Sequence, residues 1–227
     1  MIVAIEGGVG VGKTTLLNGL IQTYSNSLKV PEYFDIIPKE EHDSVLSLSE
    51  DEKLKLFLRL EESRKSFLDT SGETLYFVDR SFLTLFSYQY AIGRFSLLDN
   101  EIFTSAQMRN NFILPDLIIN LDVDNNIRRK RVNQRGFEVF PLLLESDFNR
   151  KNTNFIRAYS EACSFLDLDT SYLTPEEVLD EAQLVIQATQ QSNDSTLGNN
   201  FSKISMSLLN QLNIAEQKLS NNPSPKI

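Results

Sequence analysis

Apolar positions along the chain alternate between two periods. Ile2-Val3-Ala4-Ile5 is a short unbroken apolar run, the form of a strand buried on both faces. From Lys13 to Gln22 the apolar residues Leu16, Leu17, Leu20 and Ile21 share one helical face. Leu28 to Tyr33 reads as a second strand that closes on a carboxylate, Glu32, and residues 34–49 read as loop. Leu54, Phe57, Leu58, Glu61 and Phe67 then recur at helical spacing from about Glu50 to Asp69, and Ser71-Gly72 stops that helix. Thr74 to Val78 is a third buried strand, running into Asp79-Arg80-Ser81. Two helices follow, near 82–93 and 99–113, the second ended by Pro115. Asp116 to Leu121 is a fourth strand, and 125–135 a short basic helix. Gly136 to Glu145 is irregular, Asp147 to Cys163 helical, and Phe165 to Leu168 a fifth strand. Thr174-Pro175-Glu176-Glu177 is a helix start, with a capping hydroxyl, proline at the first helical position and a capping-box glutamate; this helix reaches about Gln190. Residues 191–227 are rich in Ser and Asn and read as a flexible tail, with Leu208, Leu209, Leu212 and Ile214 spaced for one short amphipathic helix.

Strands alternating with helices predict an α/β fold: a five-stranded parallel sheet with helices on both faces. Gly7-Gly8-Val9-Gly10-Val11-Gly12-Lys13-Thr14 lies between the first strand and the first helix and fits the phosphate-binding pattern G-x-x-x-x-G-K-[ST] without a mismatch. Glycines let the backbone wrap phosphate oxygens, and successive N–H groups and the helix N-terminus favour an anion. This predicts ATP binding by Gly7, Gly8, Val9, Gly10, Val11, Gly12, Lys13, Thr14 and Thr15, with Lys13 on the β- and γ-phosphates and the Thr14 hydroxyl on Mg²⁺. In such doubly wound P-loop sheets the ligands sit beyond the carboxyl ends of the strands. That gathers the loop, Glu32, Asp79-Arg80 and the turn after the last strand at one edge.

Composition narrows the class. The 227 residues carry a net charge of −9 and 41 % apolar side chains, enough for a full core, with no run long enough to span a membrane. The first strand begins at Ile2, which leaves no room for a signal peptide, so the expected compartment is cytoplasmic. One cysteine, Cys163, and one histidine, His42, exclude a disulfide framework and disfavour zinc; Cys163 reads as a small buried side chain and His42 as a solvated loop residue. Arg128-Arg129-Lys130-Arg131 with Arg135 is the one dense basic run, suited to a small anion rather than to nucleic acid. Arg128, Arg131 and Arg135 recur at helical spacing, so one face can offer three guanidinium forks; a solvated basic helix is the plainer reading. A helicase or transporter ATPase would be longer. A GTP-binding switch would carry Asn-Lys-x-Asp after a late strand, where this chain has Asp169-Thr170-Ser171-Tyr172. A small-molecule kinase remains.

Four segments give that class a family resemblance. Ile5-Glu6-Gly7 through Gly12-Lys13-Thr14-Thr15, Asp79-Arg80-x-x-x-Thr84-x-x-Ser87-Tyr88-Gln89 with Gly93-Arg94, Pro115-Asp116-Leu117 through Leu121-Asp122-Val123 with Arg131 and Arg135-Gly136, and Asp147-Phe148-x-Arg150 together resemble thymidylate kinase over about residues 1–180. The resemblance implies a kinase domain at 1–190 with an arginine-bearing lid at about 125–148. It implies catalytic roles for Lys13, Asp79, Arg80, Arg128, Arg131 and Arg135, and Mg²⁺ or its waters oriented by Asp79. It places the acceptor against Arg80, Tyr88 and Gln89 and implies a homodimer; the expected partner is a small nucleotide or nucleoside, while the charge and the apolar runs speak against nucleic acid and membrane. The expected reaction is transfer of the γ-phosphate of Mg-ATP to a deoxynucleoside monophosphate such as dTMP.

The chain departs from that family after the second strand, where Val30-Pro31-Glu32-Tyr33-Phe34-Asp35 replaces Arg-Glu-Pro-Gly-Gly, and in the lid, where Phe137-Glu138-Val139-Phe140 replaces Asp-Arg. Pro-Glu followed later by Asp-Arg-Ser is also similar to deoxynucleoside kinases, in which a glutamate takes the proton of a sugar 5′-hydroxyl. Glu32 is then the general base. A nucleotide-binding regulatory module without turnover is the third alternative.

Overall fold

The structure, a computed structural model, describes residues 1–68, 74–95, 111–136, 139–158 and 163–191. Five strands, β1 (Ile2–Glu6), β2 (Ser27–Val30), β3 (Leu75–Asp79), β4 (Leu117–Asp122) and β5 (Ser164–Asp169), form one sheet in the order β2-β3-β1-β4-β5. Every neighbouring pair is parallel. Ile5 lies level with Asp79 on one side and Ile119 on the other, so the chemistry-bearing ends of β1, β3 and β4 open on the same edge. The helices among the described residues are α1 (Lys13–Thr23), α2 (Tyr33–Ile36), α3 (His42–Ser47), α4 (Glu50–Arg64), α5 (Phe82–Ala91), α6 (Asn125–Arg135), α7 (Ser146–Ala158) and α8 (Pro175–Gln191).

The unbroken apolar runs follow from burial on both faces. Val3 and Ile5 pack against Leu16, Leu17 and Leu20 of α1 and Val178, Ala182 and Ile186 of α8. Ala4, between them, faces the opposite side with Phe82, Leu83 and Phe86 of α5 and Phe155 and Ile156 of α7. Each such side chain contributes roughly 1.5–3 kcal/mol on burial, which is why no polar residue interrupts β1 before Glu6. The capping box expected at α8 is formed: Thr174 N donates to Glu177 Oε2 (2.7 Å) and Glu177 N to Thr174 Oγ1 (3.2 Å). A second box, Ser49 with Glu52, starts α4.

Residues 34–49, expected as loop, instead carry α2, a 3₁₀ turn at Lys39–Glu41 and α3. His42 is not a solvated loop side chain: its Nε2 lies 3.1 Å from Phe34 O and 3.0 Å from Ile37 O, and its ring meets Phe34 edge-on. The segment is therefore pinned as a cover over α4, and Phe34 meets Phe57 edge-on. Cys163 is half-buried, and burial, with Asp116 nearby, pushes its thiol up to about 12. The stop at Ser71-Gly72, the helix expected near 99–113 up to residue 110, lid residues 137–138 and the tail from 192 lie outside the described residues. No helix among the described residues is long and apolar enough to cross a membrane.

Candidate active site

The phosphate loop leaves β1, the middle strand of the sheet. Gly7 has φ 123°, and a Cβ there would lie 2.2 Å from the Leu121 carbonyl oxygen of β4. Gly12, with φ 104°, turns the chain into α1. Lys13 folds back along the loop, donating from Nζ to Gly7 O (3.0 Å) and Gly8 O (2.8 Å). Burial lowers its pKa to about 7, helped by the neighbouring Arg80 and opposed by Glu32, Asp79 and Glu6. The side chains of Thr14 and Thr15 stay exposed at the start of α1.

Arg80 stands beside the loop in a strained backbone: with φ 61° it is the one non-glycine residue with positive φ among the described residues. Its Nη1 donates to Gly7 O (3.3 Å), and its Nε lies 2.5 Å from Glu32 Oε1. Burial opposes the charge on Glu32, but attraction by Arg80 and Lys13 outweighs it and holds the carboxyl below its ordinary range. Glu32 is therefore ionised at neutral pH. Asp79 is buried; its Oδ2 is 3.4 Å from Lys29 Nζ, and its Oδ1 has no hydrogen-bond partner.

Two residues to which the sequence reading gave no role complete the framework. Glu6, fully buried, accepts from Ser81 N (2.7 Å), Ser81 Oγ (2.6 Å) and Thr84 Oγ1 (2.6 Å), so it splints the loop strand to the start of α5. Burial raises its pKa despite those bonds. Arg64, also fully buried, donates from Nη1 to Glu61 Oε2 (2.7 Å) and from Nη2 to the carbonyls of Asp79 (2.9 Å) and Arg80 (2.7 Å). A glutamate ending an apolar strand and an arginine placed where α4 turns inward were the available signals for both.

A cavity of about 260 Å³ opens from Glu32 and Arg80 and is lined further along by Phe57, Thr84, Tyr88 and Gln89. Gln89, 5 % exposed, and Tyr88 thus line the same cavity as Glu32 and Arg80. Phe140, Leu142 and Leu143, from the segment after α6, line its rim. A second cavity, about 310 Å³, lies on the other side of the loop among Gly10, Gly12, Thr15, Arg131, Arg135 and Pro175.

The three arginines of α6 are not equivalent, which corrects the picture of one face with three free forks. Arg128 is 2 % exposed, donating from Nη1 to Val9 O (3.1 Å) and from Nη2 to Asp122 Oδ1 (3.0 Å). Burial lowers its pKa in spite of Asp122. Arg131 donates from Nη1 to Thr170 Oγ1 (3.0 Å) and Gly10 O (3.4 Å), and from Nη2 to Thr170 O (2.8 Å). Arg135 alone is exposed, at the end of the helix. Thr170 in turn sets its Oγ1 3.0 Å from Val11 O and 3.1 Å from Asp122 O.

The donors for a divalent ion are sparse but of the right kind. The unpartnered Asp79 Oδ1 and the Thr14 hydroxyl are hard oxygen ligands. No group of three or more His, Cys, Asp or Glu suited to a metal occurs among the described residues. That pattern fits Mg²⁺, which takes one or two protein oxygens and completes its shell with phosphate and water.

Comparison with known proteins agrees with this architecture. The chain superposes on deoxyadenosine kinase from M. mycoides with bound dCTP at a TM-score of 0.61 and 16 % identity, covering 83 % of this chain and 100 % of that one. The same enzyme with bound dATP gives 0.62 and 17 %, over 82 % and 100 %. Thymidylate kinase from Candida albicans gives 0.65 and 17 %, over 83 % and 92 %. At these identities the likeness is one of fold. No curated protein matches the chain in sequence. Residues 2–158, however, match the family model described as an AAA domain. With that match spanning β1 to β4, the phosphate loop and the helices through α7, the chain belongs to the AAA domain family of P-loop proteins.

Proposed function

We propose that the protein is an ATP-dependent kinase of a nucleoside or nucleotide, and that its acceptor presents a sugar hydroxyl to Glu32. The observation that carries this reading is the Glu32–Arg80 pair, set between the phosphate loop and the 260 Å³ cavity. An ionised carboxylate at the cavity mouth suits a neutral hydroxyl and repels a phosphate dianion. The structural neighbours include a kinase with bound deoxynucleoside triphosphates, which supports a nucleoside-shaped acceptor.

In this mechanism the loop N–H groups and Lys13 hold the triphosphate, and the donor base lies toward the cavity lined by Arg131 and Arg135. Thr14 and Asp79 would hold Mg²⁺, which would supply charge neutralisation to the bound triphosphate. Glu32 takes the hydroxyl proton as the acceptor oxygen bonds to the γ-phosphorus and the bond to the β-phosphate oxygen breaks, leaving ADP. Arg80 keeps Glu32 ionised beforehand and offers its guanidinium to the transferred group. Gln89 and Tyr88 bind the acceptor base, and residues 125–148 act as the lid.

The second reading is a deoxynucleoside monophosphate such as dTMP, favoured by the presence of Arg80 and Gln89 in the same cavity. ADP release with Mg-ATP against a panel of nucleosides and nucleoside monophosphates decides between them. Turnover of nucleosides, lost by about 10²–10⁴-fold in Glu32→Gln, is the expected result. Turnover of monophosphates alone, undiminished by Glu32→Gln, refutes the base role. ATP binding without turnover of any acceptor refutes a kinase.

A further inference from the structure

Arg80 and Glu32 come from different elements, and neither is held in place by its own. Arg80 follows β3 in a left-handed conformation that a side-chain-bearing residue adopts only under constraint. Glu32 precedes α2, a single turn. One side chain touches the backbone beneath the first and the residue next to the second. Arg64 donates to the carbonyls on both sides of the strained position, Asp79 O and Arg80 O. Its guanidinium carbon also lies 4.6 Å from the centre of the Tyr33 ring. Glu61, one turn earlier on α4, orients that guanidinium and accepts from Tyr33 Oη (3.0 Å) and from Ile113 N (3.3 Å). Both members of the Arg64–Glu61 pair are 0 % exposed.

Burying two charges is expensive, and an apolar pair of the same volume would hold α4 against the sheet as well. An apolar pair could not bind two carbonyls and a tyrosine hydroxyl at once. We infer that Arg64, oriented by Glu61, is a positioning residue that holds the Arg80 backbone and the Glu32-Tyr33 turn in the register where the two catalytic side chains meet. The inference rests on the proposed roles of Glu32 and Arg80.

The test uses Arg64→Lys, which keeps the buried charge but cannot fork across two carbonyls, and the double variant Glu61→Gln/Arg64→Gln, which removes both charges together should the first fail to fold. Three quantities are read: affinity for a non-hydrolysable ATP analogue, kcat and its acid limb with the best acceptor, and the Arg80 side-chain ¹⁵Nε–¹H resonance. The expected result is a small change in analogue affinity, because Arg64 itself makes no bond to the phosphate loop, with kcat down by about 100-fold. The acid limb shifts upward and the Arg80 resonance is lost to solvent exchange as Glu32 separates from it. Unchanged kcat with an intact Arg80 resonance overturns the inference. If the wild-type protein turns over no acceptor and the Arg80 resonance is still lost in the variants, the positioning role stands and the kinase reading falls.

Discussion

Alanine at three glycines of the phosphate loop separates three physical reasons for glycine. At Gly7 a Cβ would sit 2.2 Å from Leu121 O, main chain of a central strand, and 3.1 Å from the Leu121 carbonyl carbon and from Val11 Cγ2. That is more than 1 Å inside an ordinary carbon–oxygen approach of about 3.3 Å, and φ is +123° as well. Overpacking of about 1–3 kcal/mol adds to a backbone cost of about 1–2 kcal/mol, so Gly7→Ala should lose roughly 2–5 kcal/mol. At Gly8 the obstacle is side chain: Arg128 Nη1 at 2.1 Å and Asn149 Oδ1 at 2.8 Å. Arg128 can swing away only by giving up Val9 O, a charged hydrogen bond worth about 1.5–3 kcal/mol. At Gly12 nothing lies within 4 Å and only φ +104° opposes a side chain, so about 1–2 kcal/mol is expected. Urea unfolding of the three variants, with thermal melts falling about 2–4 °C per kcal/mol, reads the series directly. The predicted order of damage is Gly7, Gly8, Gly12. Gly7→Ala as stable as Gly12→Ala, within about 0.5 kcal/mol, would refute the contact with β4 as the reason for glycine there.

Lys13, at about 7 in the folded protein against an ordinary 10.5, makes the ligand-free protein gain stability as pH rises between those values, because the unfolded chain binds the extra proton. A triphosphate needs that lysine charged, so binding an ATP analogue at pH 8 should take up about one proton. Titration calorimetry in buffers of different ionisation enthalpy measures it, and heats independent of buffer would contradict the burial argument. Glu32, held below its ordinary range by Arg80, predicts that kcat/KM with a nucleoside stays flat on acidification to the lower end of carboxylate titration. A fall beginning near pH 6 would show that another group governs the rate. Thr170→Val leaves Val11 O and the Arg131 guanidinium each short of a partner. It should cost about 1–3 kcal/mol and raise KM for ATP, whereas an unchanged melting temperature would show that the staple carries no load.

The framework was legible because its physics is local. The apolar runs of β1, β3 and β4, the leucine face of α1, the basic helix at 125–135 and the Thr174–Glu177 box each follow from a short window of residues. The phosphate loop was legible as a motif, and Glu32, Asp79 and Arg80 because strand ends of a parallel sheet share an edge. What escaped is what several segments must assemble. Residues 34–49 form helical turns because His42 bonds back to Phe34 and Ile37 and Phe34 finds Phe57, none of which helical spacing encodes. Glu6 and Arg64 look like a strand-end carboxylate and one more helix cation until partners 75 and 15 residues away are known. For the α6 arginines, helical spacing put three on one face. It could not show that Asp122 and the loop carbonyls had already claimed Arg128 and Arg131.

The position of β1 also has a bearing on how the chain becomes a protein. It is made before the other strands, yet it sits in the middle of the sheet, and its neighbours begin at residues 75 and 117. At about 5–20 residues per second, an apolar segment that ends in the phosphate loop waits on the order of 5–20 s for its second flank. Loop closure over such separations makes the sheet slow to form, and hydrophobic surface stays bare meanwhile. Glu6 closes that run with a charge until Ser81 and Thr84 arrive to cover it. The residue that splints the finished site therefore also acts as a gatekeeper against aggregation while the chain is incomplete.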